Sequence, residues 1–233
     1  MKTIGLLGGM SWESTTLYYR WINEGIAYEC GGLHSAKIVM VSVNFQEIEE
    51  CQRNSNWDGA GRILADSARR VEKAGADFLV ICTNTMHKLV PDIERVVDIP
   101  ILHIVDAAAR RIAARGIKTV GLLGTLFTME ETFYRERLHV NHGIEAITPP
   151  PEDRRMVHRI IYEELCRGIV KDTSRSEFVR VMSDLAARGV EGIVGGCTEI
   201  VTLVNHGDTA LPLFDTTAIH AEEAVAWALS SQH

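Results

Sequence analysis

The sequence predicts an α/β fold with two pseudo-symmetric domains, each a Rossmann-like, doubly wound parallel sheet, and a functional site in the cleft between them. Short, continuous apolar runs alternate with amphipathic helical stretches, which is the pattern of parallel sheets that are covered on both faces. Three ordered matches also relate the first half of the chain to the second. A length of 233 residues is sufficient for two such domains.

The strands and helices are predicted from apolar runs and from helical periodicity. Each predicted strand is a short apolar run bounded by charged or turn-forming residues. The predicted strands are 3–7, 38–43, 78–81, 101–104, 119–123, 144–147, 193–194 and 211–214. The predicted helices are 14–27, 57–73, 106–114, 128–139, 154–167, 174–187 and 218–229. The alternation of the two lists favours a parallel sheet in each half of the chain.

The internal repeat defines the predicted domains. Three pairs of segments match in order, namely 3–10 with 119–126, 74–84 with 188–199, and 99–103 with 211–215. The second match puts Cys82 and Cys197 at corresponding positions, each followed by threonine and a further polar residue. We therefore predict one domain from residues 1–103 with 215–233 and a second domain from residues 104–214.

Composition and charge narrow the possible functions. The net charge of −7 argues against a nucleic-acid-binding protein, because phosphate recognition needs a basic surface. No apolar stretch approaches the roughly 20 residues that cross a membrane, so no membrane association is predicted. The five cysteines are odd in number and include no CxxC motif, which argues against a disulfide framework. A cytoplasmic protein with reduced thiols is predicted.

Cys82 and Cys197 are the strongest candidates for chemistry. Each follows an apolar strand, and ligands of parallel sheets bind beyond the carboxyl ends of the strands. Amide groups at a following helix N-terminus would lower the pKa of such a thiol. Two thiols that face each other suit inversion of a stereocentre, in which one removes a Cα proton and the other delivers one.

Polar groups next to the two cysteines are predicted to stabilise the negative charge that develops on the substrate carboxylate. These groups are Thr83, Asn84, Thr198 and Glu199, together with the glycine-rich turn that contains Met10. We therefore predict proton transfer at Cα of an amino-acid substrate.

Other interpretations of the cysteines have less support. Cys30, Cys51 and Cys166 fit small buried apolar residues. A metal site from Cys82, His87 and Cys197 would lack a close-spaced ligand pair. The chain contains neither GxGxxG nor a Walker motif, and no lysine stands out as a pyridoxal anchor. We expect neither a metal nor a cofactor.

Three motifs resemble those of the aspartate/glutamate racemase family. They are the segments 8–15, 82–87 and 196–200, and the resemblance covers nearly the whole chain. It implies an isomerase with a pseudo-symmetric two-domain α/β fold that works without pyridoxal phosphate. It also implies catalysis by Cys82 and Cys197, and a homodimer.

The resemblance further implies several substrate contacts. Met10, Gln52 and the stretch 82–84 would contact the substrate, and Arg53 would pair with a side-chain carboxylate. Thr125 lies in the second glycine-rich turn and is expected to bind carboxylate. Family members often carry a basic residue near positions 162–165, where this chain has Glu164. That carboxylate would receive a hydrogen-bond donor of the substrate or reject acidic substrates of one hand.

Three alternatives remain open at this stage. Two of them stay within the superfamily: isomerisation of maleate, and decarboxylation of a malonate, which needs only one cysteine. The third is a non-catalytic amino-acid sensor that uses the same cleft. The preferred hypothesis is racemisation of aspartate or glutamate.

Overall fold

The chain forms two α/β units. The computed structural model describes residues 1–230, so positions 231–233 of the first predicted domain lie outside the described residues. Unit 1 comprises Met1–Ile104 and the described part of the segment that begins at His220, and unit 2 comprises Val105–Ile219. Within residues 1–230, no helix is long and apolar enough to cross a membrane.

Unit 1 contains a parallel sheet whose strands have the order β2-β1-β3-β4 within the described residues. The strands are β1 (Ile4–Gly8), β2 (Ile38–Ser42), β3 (Phe78–Ile81) and β4 (Ile101–Leu102). The helices are α1 (Trp12–Cys30), α2 (Phe45–Arg53), α3 (Trp57–Lys73), a 3₁₀ helix (Thr85–Leu89) and α4 (Val90–Glu94).

The two faces of this sheet are both buried, which explains the continuous apolar strands. On β3, Phe78 and Val80 pack with Tyr18 and Ile22 of α1 in one apolar cluster. Leu79 and Ile81, which point to the other face, pack with apolar residues of α3 in a second cluster. Successive residues of β3 therefore point to opposite faces of the sheet, the α1 face and the α3 face.

Unit 2 repeats this architecture, with a parallel sheet of strand order β6-β5-β7-β8. The strands are β5 (Thr119–Gly124), β6 (Glu145–Ile147), β7 (Gly192–Gly196) and β8 (Leu213–Asp215). The helices are α5 (Ile104–Ala113), α6 (Leu126–Glu130), α7 (Thr132–His142), α8 (Pro151–Glu163), a 3₁₀ helix (Leu165–Arg167), α9 (Asp172–Ala187), α10 (Ile200–Leu203) and α11 (Thr216–Leu229). From His220 onward, α11 belongs to unit 1.

The predicted fold class is confirmed, and each predicted strand has a counterpart in the described part of the chain. Helix α2 was missed, because it is largely polar and buries only Ile48 and Gln52. Its start is nevertheless well defined, since the Asn44 side chain accepts a hydrogen bond from the amide of Gln46. The short helices α4, α6 and α10 were also missed.

Candidate functional site

Two neighbouring strands of unit 2 end side by side in a pair of glycines. Gly124 of β5 pairs with Gly196 of β7, and the next residues along the chain are Thr125 and Cys197. A Cβ on Gly196 would lie 3.1 Å from the carbonyl oxygen of Leu123, so this position has little room for a side chain. The register therefore places Thr125 and Cys197 at the carboxyl edge of the sheet, where ligands of parallel sheets bind.

The Cys197 thiol is hydrogen-bonded to a carboxylate. It donates to Glu199, with 3.0 Å between Sγ and Oε2. Cys166, from the 3₁₀ helix that follows α8, lies close enough to the same Glu199 side chain for its charge to raise the pKa of the Cys166 thiol. Glu199 thus interacts with two thiols of unit 2.

Both of these thiols are weak acids. Burial, followed by the charge of Glu199, raises the pKa of Cys197 well above its ordinary value. The same causes raise the pKa of Cys166 to about 12. The lowered pKa predicted for Cys197 is therefore wrong in direction, because α10 has only four residues and the charge of the neighbouring Glu199 acts against a thiolate. At neutral pH both thiols are protonated.

Two predicted threonines lie at the same edge of unit 2. Thr125 is buried and caps α6, where its Oγ1 accepts a hydrogen bond from the amide of Thr128 at 3.4 Å. Thr198 is buried and directly follows Cys197. The hydroxyl and amide groups of this edge are of the kind that hold a carboxylate.

Helix α8 contributes side chains that the sequence analysis did not single out. The amide of Leu126 donates to Nδ1 of His158 at 3.2 Å. The ring of His158 packs against Tyr162, with 4.6 Å between the ring centroids. His158, Tyr162 and Cys166 follow one another at intervals of four residues, and this spacing was the only available signal in the sequence.

Glu164 has a structural role in place of the predicted substrate contact. Its side chain is buried, Oε2 accepts a hydrogen bond from Ser174, and Oε1 lies 3.2 Å from Nζ of Lys171. The Ser174 hydrogen bond, helped by Lys171, holds the pKa of Glu164 below its ordinary value. Both oxygens are thus occupied within unit 2, which corrects the expectation that Glu164 receives a group of the substrate.

We expect Glu164→Gln to lower the free energy of unfolding near pH 7 by about 1–3 kcal/mol, because the hydrogen bonds to a buried charge are weakened. The folded-state pKa lies below the ordinary value of 4.5. The stabilisation is therefore complete above that value and is lost as the pH falls through the folded-state pKa. Urea titrations between pH 7 and pH 3.5 should show a difference that shrinks only at the acidic end. A pH-independent difference would contradict this role.

In unit 1, the Cys82 side chain points into the apolar core. It is 0% exposed and packs with Val80, Phe78 and Tyr18 on the α1 face of the sheet. Its thiol has one long contact, 3.9 Å to the carbonyl oxygen of Val80. Burial raises the pKa of Cys82 far above its ordinary value. A thiol in this position is a buried apolar group, not an accessible acid or base.

The strand register shows that Thr83, not Cys82, is the counterpart of Cys197. Leu7 of β1 pairs with Ile81, and the matching Leu123 of β5 pairs with Gly195. Ile81 and Gly195 are therefore equivalent, and two residues further along the chain the equivalent positions are Thr83 and Cys197. The predicted equivalence of Cys82 and Cys197 is therefore wrong by one residue. The half-buried Thr83 occupies the edge position in unit 1.

His87 fixes the turn that follows Thr83. Its Nε2 accepts a hydrogen bond from the amide of Ile104 at 3.2 Å, which leaves the proton on Nδ1. Nδ1 then donates to the carbonyl oxygen of Thr83 at 2.8 Å. Asn84, another predicted contact, is buried in this turn. In the part of the chain that the structure describes, no cluster of three His, Cys, Asp or Glu residues could hold a metal ion.

The remaining predicted contacts of unit 1 differ in their surroundings. Met10 is buried in the apolar cluster on the α3 face of the sheet. Gln52 is 4% exposed, and its buried Oε1 has no hydrogen-bond partner in the described residues. Arg53 is largely exposed, with Nη2 3.9 Å from Oε2 of Glu49. Gln52 is thus the position whose unmet acceptor indicates a ligand donor.

Comparison with known proteins agrees with this architecture. The profile of the Asp/Glu/Hydantoin racemase family matches residues 7–224. The chain is 24% identical to the "Broad specificity amino-acid racemase RacX" of Bacillus subtilis, over 98% of this chain and 99% of that protein. Among solved structures, a candidate Asp/Glu racemase from Yersinia pestis is 54% identical, with a TM-score of 0.94 over 99% of this chain and 100% of the other. The aspartate racemase homologue PH1733 from Pyrococcus horikoshii is 34% identical, with a TM-score of 0.84 over the same shares.

Proposed function

Because the chain belongs to the Asp/Glu/Hydantoin racemase family, we propose that it is an amino-acid racemase that moves the Cα proton with its own side chains. The observation that carries the proposal is the Cys197 thiol, hydrogen-bonded to Glu199 at the carboxyl edge of unit 2. A thiol and a carboxylate joined by one hydrogen bond supply an acid and a base at the same position, as proton transfer at carbon requires.

In the proposed first step, Glu199 accepts the thiol proton across the 3.0 Å hydrogen bond. The Cys197 thiolate then takes the Cα proton, and the electron pair of the C–H bond stays on the substrate as an enediolate. A donor on the opposite face protonates the carbon and inverts it. The proton held by Glu199 replaces, through solvent, the one that this donor gave up.

We propose that several polar groups bind the substrate. Thr125, Thr198 and the amides around them support binding of the α-carboxylate and stabilise the enediolate. The unpartnered Oε1 of Gln52 is a hydrogen-bond acceptor, and it suits the α-ammonium group, which donates. For aspartate or glutamate, Arg53 is the basic residue that we propose for the side-chain carboxylate, as the family resemblance implies.

The proposed opposite-face donor is Thr83, since it takes the register position of Cys197. A hydroxyl can protonate a carbanion, but it is a much poorer base than a thiolate. The enantiomers have equal energies, so kcat/KM for racemisation is the same in both directions and the Thr83 step limits both. Exchange of the Cα proton with solvent on the Cys197 face is free of that limit.

The test is to incubate each enantiomer of aspartate and glutamate with the protein in D2O without added cofactor. We expect the Cα–H signal in proton NMR to disappear faster than inversion for one enantiomer of the substrate. For the other enantiomer, exchange and inversion should proceed together. If no amino acid in a broad panel loses its Cα proton, the chain is not an amino-acid racemase.

Decarboxylation of a malonate is the second candidate function. The observation in its favour is that Cys197 is an edge thiol whose register counterpart is the hydroxyl of Thr83, and decarboxylation needs only one cysteine. Release of CO2 from substituted malonates, with no exchange in amino acids, would support it. A sensor would bind amino acids but catalyse neither reaction.

A further inference from the structure

One face of α8 and of the 3₁₀ helix after it borders the carboxyl edge of unit 2 at two points. His158 accepts the amide hydrogen of Leu126, next to Thr125. Eight residues later, Cys166 contacts Glu199, the partner of the Cys197 thiol. Between them, Tyr162 packs on the His158 ring. The side chains at these three positions therefore form one wall beside the proposed catalytic thiol.

The hydrogen bond from Leu126 determines the tautomer of His158. A backbone amide can only donate, so Nδ1 must present its lone pair and the ring proton must lie on Nε2. Burial lowers the pKa of His158, although the charge of Glu130 acts in the opposite direction. The ring is consequently a neutral donor near pH 7. Within residues 1–230, Nε2 has no hydrogen-bond partner, and the side chain is only half-buried.

Glu163, at the end of α8, and Glu164, which follows it, are not part of this wall. Glu164 is buried and bound by Ser174 and Lys171. Glu163 is exposed and lies 3.9 Å from Arg159. Neither carboxylate therefore accounts for substrate selection, whereas His158 has a donor of defined position next to the Thr125 turn.

We propose that His158 is a specificity-determining residue of unit 2, whose Nε2–H donates a hydrogen bond to an acceptor on the substrate side chain. The proposal rests on the proposed racemase function and adds a class of substrate to it. A neutral donor can donate to a carboxylate or to an amide carbonyl, so aspartate and asparagine are favoured over alanine and lysine. The donor selects for an oxygen acceptor rather than for negative charge.

Two substitutions distinguish the roles of the two ring nitrogen atoms of His158. In His158→Asn, the side-chain oxygen can still accept the Leu126 amide hydrogen at the position of Nδ1, but the Nε2 donor is lost. In His158→Gln, the amide nitrogen reaches the position of Nε2 and restores a donor. Thermal unfolding of both variants checks that the α6 turn is intact.

We expect His158→Asn to raise KM for aspartate in the Cα–H exchange assay by about 10-fold, which corresponds to the loss of one hydrogen bond to the side-chain carboxylate. The kcat for aspartate and both constants for alanine should stay within about 2-fold. His158→Gln should recover most of the affinity for aspartate. An equal effect of His158→Asn on aspartate and alanine, or no effect on either, would overturn the proposal.

Titration calorimetry with aspartate and alanine distinguishes failure of the inference from failure of the racemase proposal. If aspartate binds without exchange and His158→Asn weakens its binding about 10-fold, the racemase proposal fails and the side-chain contact stands. If exchange occurs but His158→Asn leaves the preference for aspartate over alanine unchanged, the racemase proposal stands and this inference fails.

Discussion

Replacing Cys197 with serine is expected to lower the rate of Cα proton exchange by about 10³-fold, within the range that positioned acid–base groups contribute. Serine keeps the position and a hydrogen-bond donor for Glu199, but its hydroxyl is a far weaker acid than the thiol at the 3.0 Å hydrogen bond. Loss of the thiolate should slow exchange of both enantiomers. The measurement is initial-rate proton NMR in D2O, with circular dichroism to confirm folding.

The matched control for this prediction is Cys166→Ser. It changes a second thiol that contacts the same Glu199 carboxylate but does not follow a strand of the sheet. We expect its exchange rate to stay within about 5-fold of the unmodified protein, because the reacting group is intact. Equal rates in Cys197→Ser and the unmodified protein would remove Cys197 from the mechanism.

The second large effect is expected from Thr83→Ala, and the substitution of the adjacent residue, Cys82→Ala, is its control. Thr83→Ala should reduce inversion by about 10²-fold, because it removes the proposed proton donor, while exchange with retention on the Cys197 face persists. Cys82→Ala should leave both rates nearly unchanged and cost about 1 kcal/mol of unfolding free energy, since it removes one sulfur atom from the core. Rates from chiral chromatography, compared with NMR exchange, separate inversion from retention.

The opposite ranking of this pair would be decisive against the register assignment. If Cys82→Ala lost inversion while its unfolding transition was unchanged, and Thr83→Ala remained active, the buried thiol would have to reach the substrate. The two residues are adjacent in the chain but have different surroundings, since Cys82 packs in the apolar core and Thr83 is half-buried at the edge of the sheet.

The fold was predictable because its signal is repeated along the chain. Strands buried on both faces are continuous apolar runs, and β3 illustrates this with Phe78–Ile81. Helix α2 gave no such signal, since most of its residues are polar and only Ile48 and Gln52 are fully buried. Its contribution to the candidate site, the unpartnered Oε1 of Gln52, depends on an environment that sequence periodicity does not describe.

The site was predictable only in part. Cys197, Thr125 and Thr198 do share the edge of unit 2, because strand ends and glycine turns are visible in the sequence. Matching identical letters aligned Cys82 with Cys197, whereas hydrogen-bond pairing aligns Thr83 with it. His158 escaped notice since its contact with Leu126 spans 32 residues and involves a backbone amide.

In each repeat, the residue just before the edge residue faces the interior of its unit, and this residue differs between the two repeats. Unit 2 carries Gly196 there and a thiol next, while unit 1 carries Cys82 there and a hydroxyl next. A symmetric pair of identical chains would acquire any substitution at this position in both copies at once. Covalent fusion of the repeats permits each one to change alone, so the two repeats can specialise for unequal steps of the same reaction.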